Sequence, residues 1–161
     1  MSIEDLRNEL VSNVITLQDL QKHINFAREE YDDWGDYNLA YEIPIDKSTN
    51  FSFNVGTITL VLDSESDDEL PLWLTLHPDF EKEPINLKHL DDILNIIREN
   101  FPENWSNVAV SVTDFPNPIE ERFEIINEIT QEDLNDIESG HHGYPQSSYL
   151  DEEEKEYVFL L

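Results

Sequence analysis

Three stretches in the first half of the chain alternate with a period of two: Leu39–Ile45, Phe51–Leu62 and Leu70–His77. Tyr41, Ile43 and Ile45 alternate with Ala40, Glu42 and Pro44, and Leu70, Leu72, Leu74 and Leu76 alternate with Pro71, Trp73 and Thr75. Successive side chains of a strand point to opposite faces, so this period predicts pleated strands. Short polar links between them predict hairpins, hence an antiparallel meander. Two later segments, Asn107–Phe115 and Tyr157–Leu161, read as further strands.

Helical spacing frames these strands. Across residues 2–31, Ile3, Leu6, Leu10, Leu17, Leu20, Ile24, Ala27 and Tyr31 recur at three and four residues. The β-branched run Val14-Ile15-Thr16, with Asp19 three residues after Thr16, allows either one helix or two with a break at a capping pattern. Such a stripe suits packing on the chain's own sheet, and it also permits a homodimer through residues 2–31. Leu87–Asn100 places Leu87, Leu90, Ile93, Leu94 and Ile97 on one face after Asn86, a good cap. Pro118–Glu138 reads as a third helix, with Ile119, Phe123, Ile126, Ile129 (or Thr130), Leu134 and Ile137 on one side. The expected fold is one α+β domain over 1–161: a central, mostly antiparallel sheet of four to five strands with three to four helices on one face. Neither an internal repeat nor a linker stands out.

Charge is the unusual quantity. The chain has 37 Asp and Glu against 9 Lys and Arg, a net of −28. Aromatics at 11% and clear periodicity argue for a folded protein in an acidic coat rather than an acidic tail. This charge repels nucleic acid and anionic membranes and speeds encounter with basic surfaces. Cysteine is absent, which excludes disulfides and thiolate chemistry and fits a cytoplasmic setting. No apolar run approaches the ~20 residues that cross a bilayer.

On the predicted third helix, Glu120, Glu124, Glu128, Glu132 and Asp136 would form a row stepping about 6 Å per turn, with Glu121 beside it. No Lys or Arg lies between Phe123 and Glu154. Like charges at this spacing destabilise a helix by roughly 0.2–0.5 kcal/mol per pair, so a partner is expected to use them. Asp32, Asp33, Trp34, Asp36 and Tyr37 mix acids with large aromatics, which anchor an interface or tuck into the core. Asp63, Glu65, Asp67 and Asp68 form another acidic cluster, and Asp151–Glu156 another.

Signals for chemistry are weak. Asp63, Glu65, Asp67 and Glu69 alternate like the start of a calcium loop, but Asp68 stands where glycine belongs and Leu74 where glutamate belongs. His141 and His142 lack zinc-ligand spacing. No hydrolase, metalloprotease or phosphate-loop motif occurs, so no enzyme, metal or cofactor is expected. In size and charge, though not in motif, the chain is similar to anti-restriction and anti-CRISPR DNA mimics. The expected function is an acidic phage or mobile-element inhibitor that occupies the DNA- or RNA-binding surface of a basic host-defence nuclease or effector complex. The alternative is a cognate immunity protein for a basic nuclease toxin, in which Trp34, Tyr37, Tyr41, Trp73 and Trp105 would carry the contact. An adaptor that pairs through its first helix is a third option.

Overall fold

The computed structural model describes residues 15–44, 50–63, 70–78, 84–113, 123–126, 142–143, 145 and 147–160. Helix α1 (Leu17–Glu30) starts where the β-branched run ends. The Asp19 carboxylate accepts from the Thr16 N–H at 3.0 Å and from the Thr16 hydroxyl at 3.2 Å, which holds the first turn closed. Ile15 and Thr16 are extended and lie against a strand, so the described part of residues 2–31 follows the reading with a break at Thr16. Residues 2–14 lie outside the described residues. Helix α2 (Leu87–Asn100) is capped reciprocally. Asn86 Oδ1 accepts from the His89 N–H at 2.9 Å, and His89 Nδ1 accepts from the Asn86 N–H at 3.4 Å.

The strands are β1 (Asn38–Pro44), β2 (Asn50–Asp63), β3 (Leu70–Pro78), β4 (Ala109–Thr113), β5 (Phe123–Ile126), β6 (His142–Gly143), β7 (Ser147–Asp151) and β8 (Glu156–Leu160). They join in the order β6-β4-β3-β2-β1-β8-β7, with β5 on β2. This corrects the expected fold. The described residues hold two α-helices and an eight-stranded mixed sheet, not three to four helices on four to five mostly antiparallel strands. The pairs β1–β8, β3–β4 and β2–β5 are parallel. Period two reports that a segment is a strand and is silent on which strand it meets. The hairpins β1–β2 and β2–β3 follow from short links, whereas the parallel pairs join distant segments.

A second correction falls at Pro118–Glu138. Phe123–Ile126 is strand β5, parallel to β2 with Phe123 opposite Ile58 and Ile126 opposite Val61. A free edge on β2 offers this segment backbone partners, and its β-branched pair Ile125-Ile126 suits a strand. Like charges weaken the competing helix. The rest of the predicted helix lies outside the described residues.

The topology is a duplication that the sequence reading missed. Each helix is followed by a tryptophan-bearing 3₁₀ turn (Trp34–Asp36, Trp105–Asn107) and then a strand. Each helix start is fastened to the other unit. Leu17 N–H donates to Val108 O at 2.9 Å, and Leu87 N–H donates to Tyr37 O at 2.8 Å. Val110 N–H donates to Ile15 O at 2.9 Å, and Leu39 N–H donates to Ile85 O at 2.7 Å. Ile15 N–H donates to Pro145 O at 3.2 Å, and Ile85 N–H donates to Val55 O at 2.8 Å. The strands follow the same rule. β8 runs parallel to β1 as β3 runs parallel to β4, and β7 pairs with β8 as β2 pairs with β3. β6 and β7 are consecutive in the chain and sit at the two ends of the strand order, so the pairings return on themselves. The molecule is therefore two interlocked α-β-β-β units, in which β6 and β7 together take the place of β2, and β5 is an extra strand that follows β4 in the chain and pairs with β2 of the first unit.

Both helices bury their apolar faces in one core. Leu17, Leu20, Ile24 and Ala27 of α1 meet Leu87, Leu90, Ile93, Leu94 and Ile97 of α2 over Leu39, Tyr41, Leu60, Leu74, Val110 and Phe159. Burial of each large side chain contributes roughly 1.5–3 kcal/mol. The α1 stripe is thereby consumed within the chain. Arg28 ties the helices together through the buried Asp91 at 2.9 Å and lies over the Trp34 ring at 4.7 Å. Gly35 lets the first 3₁₀ turn approach α2 closely, since a Cβ there would meet Lys88 Cβ at 3.2 Å.

Candidate functional site: an acidic rim around an aromatic pocket

Of the predicted site residues, those described fall in the α1–β1 loop, at the end of β2 and on β5. Tyr37 is buried in the core, and Trp34 is partly buried against it beneath Arg28. Tyr41 and Trp73 are buried as well. Tyr37 thus takes the packing role left open at the sequence level and Trp34 does so in part, while Tyr41 and Trp73, expected to carry a contact in the immunity-protein reading, are core residues. Glu124 is exposed on β5, opposite Thr59, and belongs to no helical row. Glu120, Glu121, Glu128, Glu132, Asp136, Glu65, Asp67 and Asp68 lie outside the described residues. Asp63 ends β2 opposite Leu70.

Two acidic clusters distant in sequence do meet. The α1–β1 loop, with Asp32, Asp33 and Asp36, adjoins the β7–β8 turn, with Asp151 through Glu154. Lys155 Nζ reaches Asp33 Oδ2 at 2.6 Å, and the Tyr31 hydroxyl donates to Glu152. The Lys155 ammonium holds the Asp33 carboxyl below its ordinary range, while the bond to Glu152 pushes the Tyr31 phenol up to about 12. The turn is shaped by its own residues. Asp151 Oδ1 accepts from the N–H groups of Glu153 at 3.1 Å and Glu154 at 3.2 Å, and Lys155 takes a left-handed φ of 53° to enter β8. The effect is to project Glu152, Glu153 and Glu154 into solvent beside Glu29, Glu30, Asp32 and Asp36, all exposed. Lys155 offsets one of these charges.

Beside this rim is a pocket of about 250 Å³, lined by His23, Phe26, Tyr31, Ser148, Tyr149, Leu150 and Tyr157. Phe26 is 53% exposed and Tyr149 40%, two of the few large apolar side chains so open among the described residues. Its floor is a hydroxyl–imidazole triangle. Tyr157 Oη lies 2.5 Å from His23 Nδ1, Ser148 Oγ lies 3.1 Å from the same nitrogen, and the two hydroxyl oxygens are 2.8 Å apart. Burial lowers the His23 pKa against the nearby Asp19, and burial raises that of Tyr157. Burial thus favours the neutral ring, whose Nδ1 shares a hydrogen bond with one of the two hydroxyls. Among the described residues no carboxylate is hydrogen-bonded to this ring. The triangle can orient one polar group of a ligand, and its members otherwise satisfy one another.

Sequence reading did not find this pocket. His23 and Phe26 sit on the polar side of an amphipathic helix, Ser148 ends a Gly- and Ser-rich stretch that reads as a loop (Ser139–Ser148), and Tyr149 follows it in no expected element. The available signal was the alternation Ser148, Leu150 against Tyr149, Asp151 just before a charged turn. Among the described residues no group of three or more His, Asp or Glu could hold a metal ion. His77 bonds the Thr59 hydroxyl at 2.9 Å, and His89 caps α2. No described helix is long and apolar enough to cross a membrane. Comparison of the chain with known family models, curated proteins and solved structures finds no match.

Proposed function

We propose that this chain is an acidic inhibitor that covers the nucleic-acid-binding surface of a basic nuclease or effector complex, and that it docks through the face formed by α1, the α1–β1 loop and the β7–β8 hairpin. The observation that carries this reading is the meeting of two distant acidic clusters beside a pocket with exposed aromatics. Apolar anchors at the centre with charge at the rim are the ordinary anatomy of a protein interface. The rim carboxylates steer a cationic partner, and Phe26, Tyr149 and the pocket give it a seat. A compact seat of this kind favours one cognate partner, as for an immunity protein, over broad mimicry by a long carboxylate row.

The test compares wild type with a variant carrying Asp32→Asn, Asp36→Asn, Glu152→Gln, Glu153→Gln and Glu154→Gln. Both are used to capture proteins from the native host, and each purified pair is timed by stopped flow across salt. A nucleic-acid-binding partner whose association slows at least about tenfold with the variant, at unchanged fold, supports the proposal. Equal association rates for the two proteins contradict it.

A further inference from the structure

The duplication supplies a template for what sits beside the pocket. Matching the two units through β1 and β4 makes Leu39 equivalent to Val110. Their parallel partners, Tyr157 and Leu74, are then equivalent, and so are the antiparallel partners of those, Leu150 and Leu60. An independent route gives the same alignment: Pro145 and Val55 accept equivalent bonds from Ile15 and Ile85, which places Ser148 where Ile58 stands.

The edge of β2 away from β3 is filled in three steps. β1 pairs with Asn50–Asn54, Ile85 bonds to Val55, and β5 pairs with Ile58–Val61. On the matching segment, β4 pairs with His142–Gly143 and Ile15 bonds to Pro145. The series then stops. Among the described residues, no strand pairs with the edge of Ser148–Asp151 away from β8. In the first unit the third step is made by Phe123–Ile126, with Phe123 opposite Ile58 and packed against the core. In the second unit Ser148 replaces Ile58, nothing in the described residues corresponds to Phe123, and the pocket lies there.

We propose that a basic partner protein completes the duplication by adding an extended segment parallel to β7 along Ser148–Asp151, with an apolar side chain opposite Ser148 entering the pocket over His23 and Tyr157. This rests on the reading of this face as the docking surface and adds the mode of docking. Backbone pairing supplies affinity, and the pocket selects one side chain. Lysine or arginine at the end of the segment beyond Asp151 would face Glu152–Glu154.

The probe is a blocked peptide with Phe-Glu-Ile-Ile between lysine pairs, titrated into the ¹⁵N-labelled full chain. Amide shifts confined to Ser147–Asp151 and α1 near His23 are expected. Methylation of alternate peptide nitrogens should weaken binding about tenfold or more, because ladder donors are lost. Ser148→Trp, which fills the pocket, should weaken it similarly. A Gly-Ser peptide with the same lysines that binds as well as the first, with no shift at Ser147–Asp151, overturns strand addition and leaves the basic-partner reading standing. A Phe-Glu-Ile-Ile peptide flanked by glutamates that binds as tightly supports strand addition and overturns the basic-partner reading.

Discussion

Removal of the Arg28 guanidinium strands a buried carboxylate, and the duplication provides its own control. Arg28→Ala takes away a 2.9 Å charge-assisted bond to Asp91, whose side chain is 8% exposed. Breaking a fully buried ion pair costs about 3–5 kcal/mol. The Arg28 side chain is 45% exposed, so water enters where it leaves, and about half that figure is expected. Loss of the cation over Trp34, at 4.7 Å, adds ~0.5–1 kcal/mol. The sum, about 2–3 kcal/mol, is a large share of a domain's usual stability. Arg98 is the equivalent residue. It lies over Trp105 at 5.5 Å but bonds the neutral Asn95 instead of a buried acid. Arg98→Ala should therefore cost about 1 kcal/mol or less. Urea unfolding at pH 7.5 measures both, with unchanged slope as the check on two-state behaviour. Asp91→Asn in the Arg28→Ala background should recover about 1 kcal/mol or more by removing the uncompensated charge. Equal losses for the two arginines, or no recovery, would refute the reasoning.

Two further effects follow from the triangle under the pocket. His23 has a depressed folded pKa through burial, so the unfolded chain binds its proton first. Stability should fall as pH drops below about 6.5, by up to ~1.4 kcal/mol per unit. The difference between wild type and His23→Asn in urea midpoints at pH 7.5 and 5.5 isolates this contribution, and identical pH slopes would count against it. Tyr157→Phe removes the hydroxyl that bonds both His23 and Ser148. It should cost about 1–3 kcal/mol, and a loss under ~0.5 kcal/mol would show that water replaces it without penalty.

Local structure was legible where one physical signal dominated. Period two placed β1, β2 and β3, and the Asn86 cap with its five apolar positions placed α2. At Phe123–Ile126 helical spacing and strand propensity competed, and a partner edge on β2 decided the outcome. That edge is a tertiary fact, invisible to a local window. The duplication left a trace: Ile15-Thr16-Leu17 with Leu20, Arg28-Glu29 and Trp34 matches Ile85-Asn86-Leu87 with Leu90, Arg98-Glu99 and Trp105. Few identities survive because the core accepts different apolar residues at equivalent places, such as Tyr157 for Leu74. The site was the least legible part. Its acids come from two segments that only the β1–β8 pairing brings together, and its exposed aromatics carry no periodic signature. Net charge foretold the sign of the surface and not its location.

The most direct test of the docking face is hydrogen–deuterium exchange on the complex with the captured basic partner. Slowed exchange is predicted at residues 23–36 and 147–156, with residues 87–100 unchanged. Protection centred on α2 instead, with exchange at β7 and the acidic turn unaltered, would contradict the account.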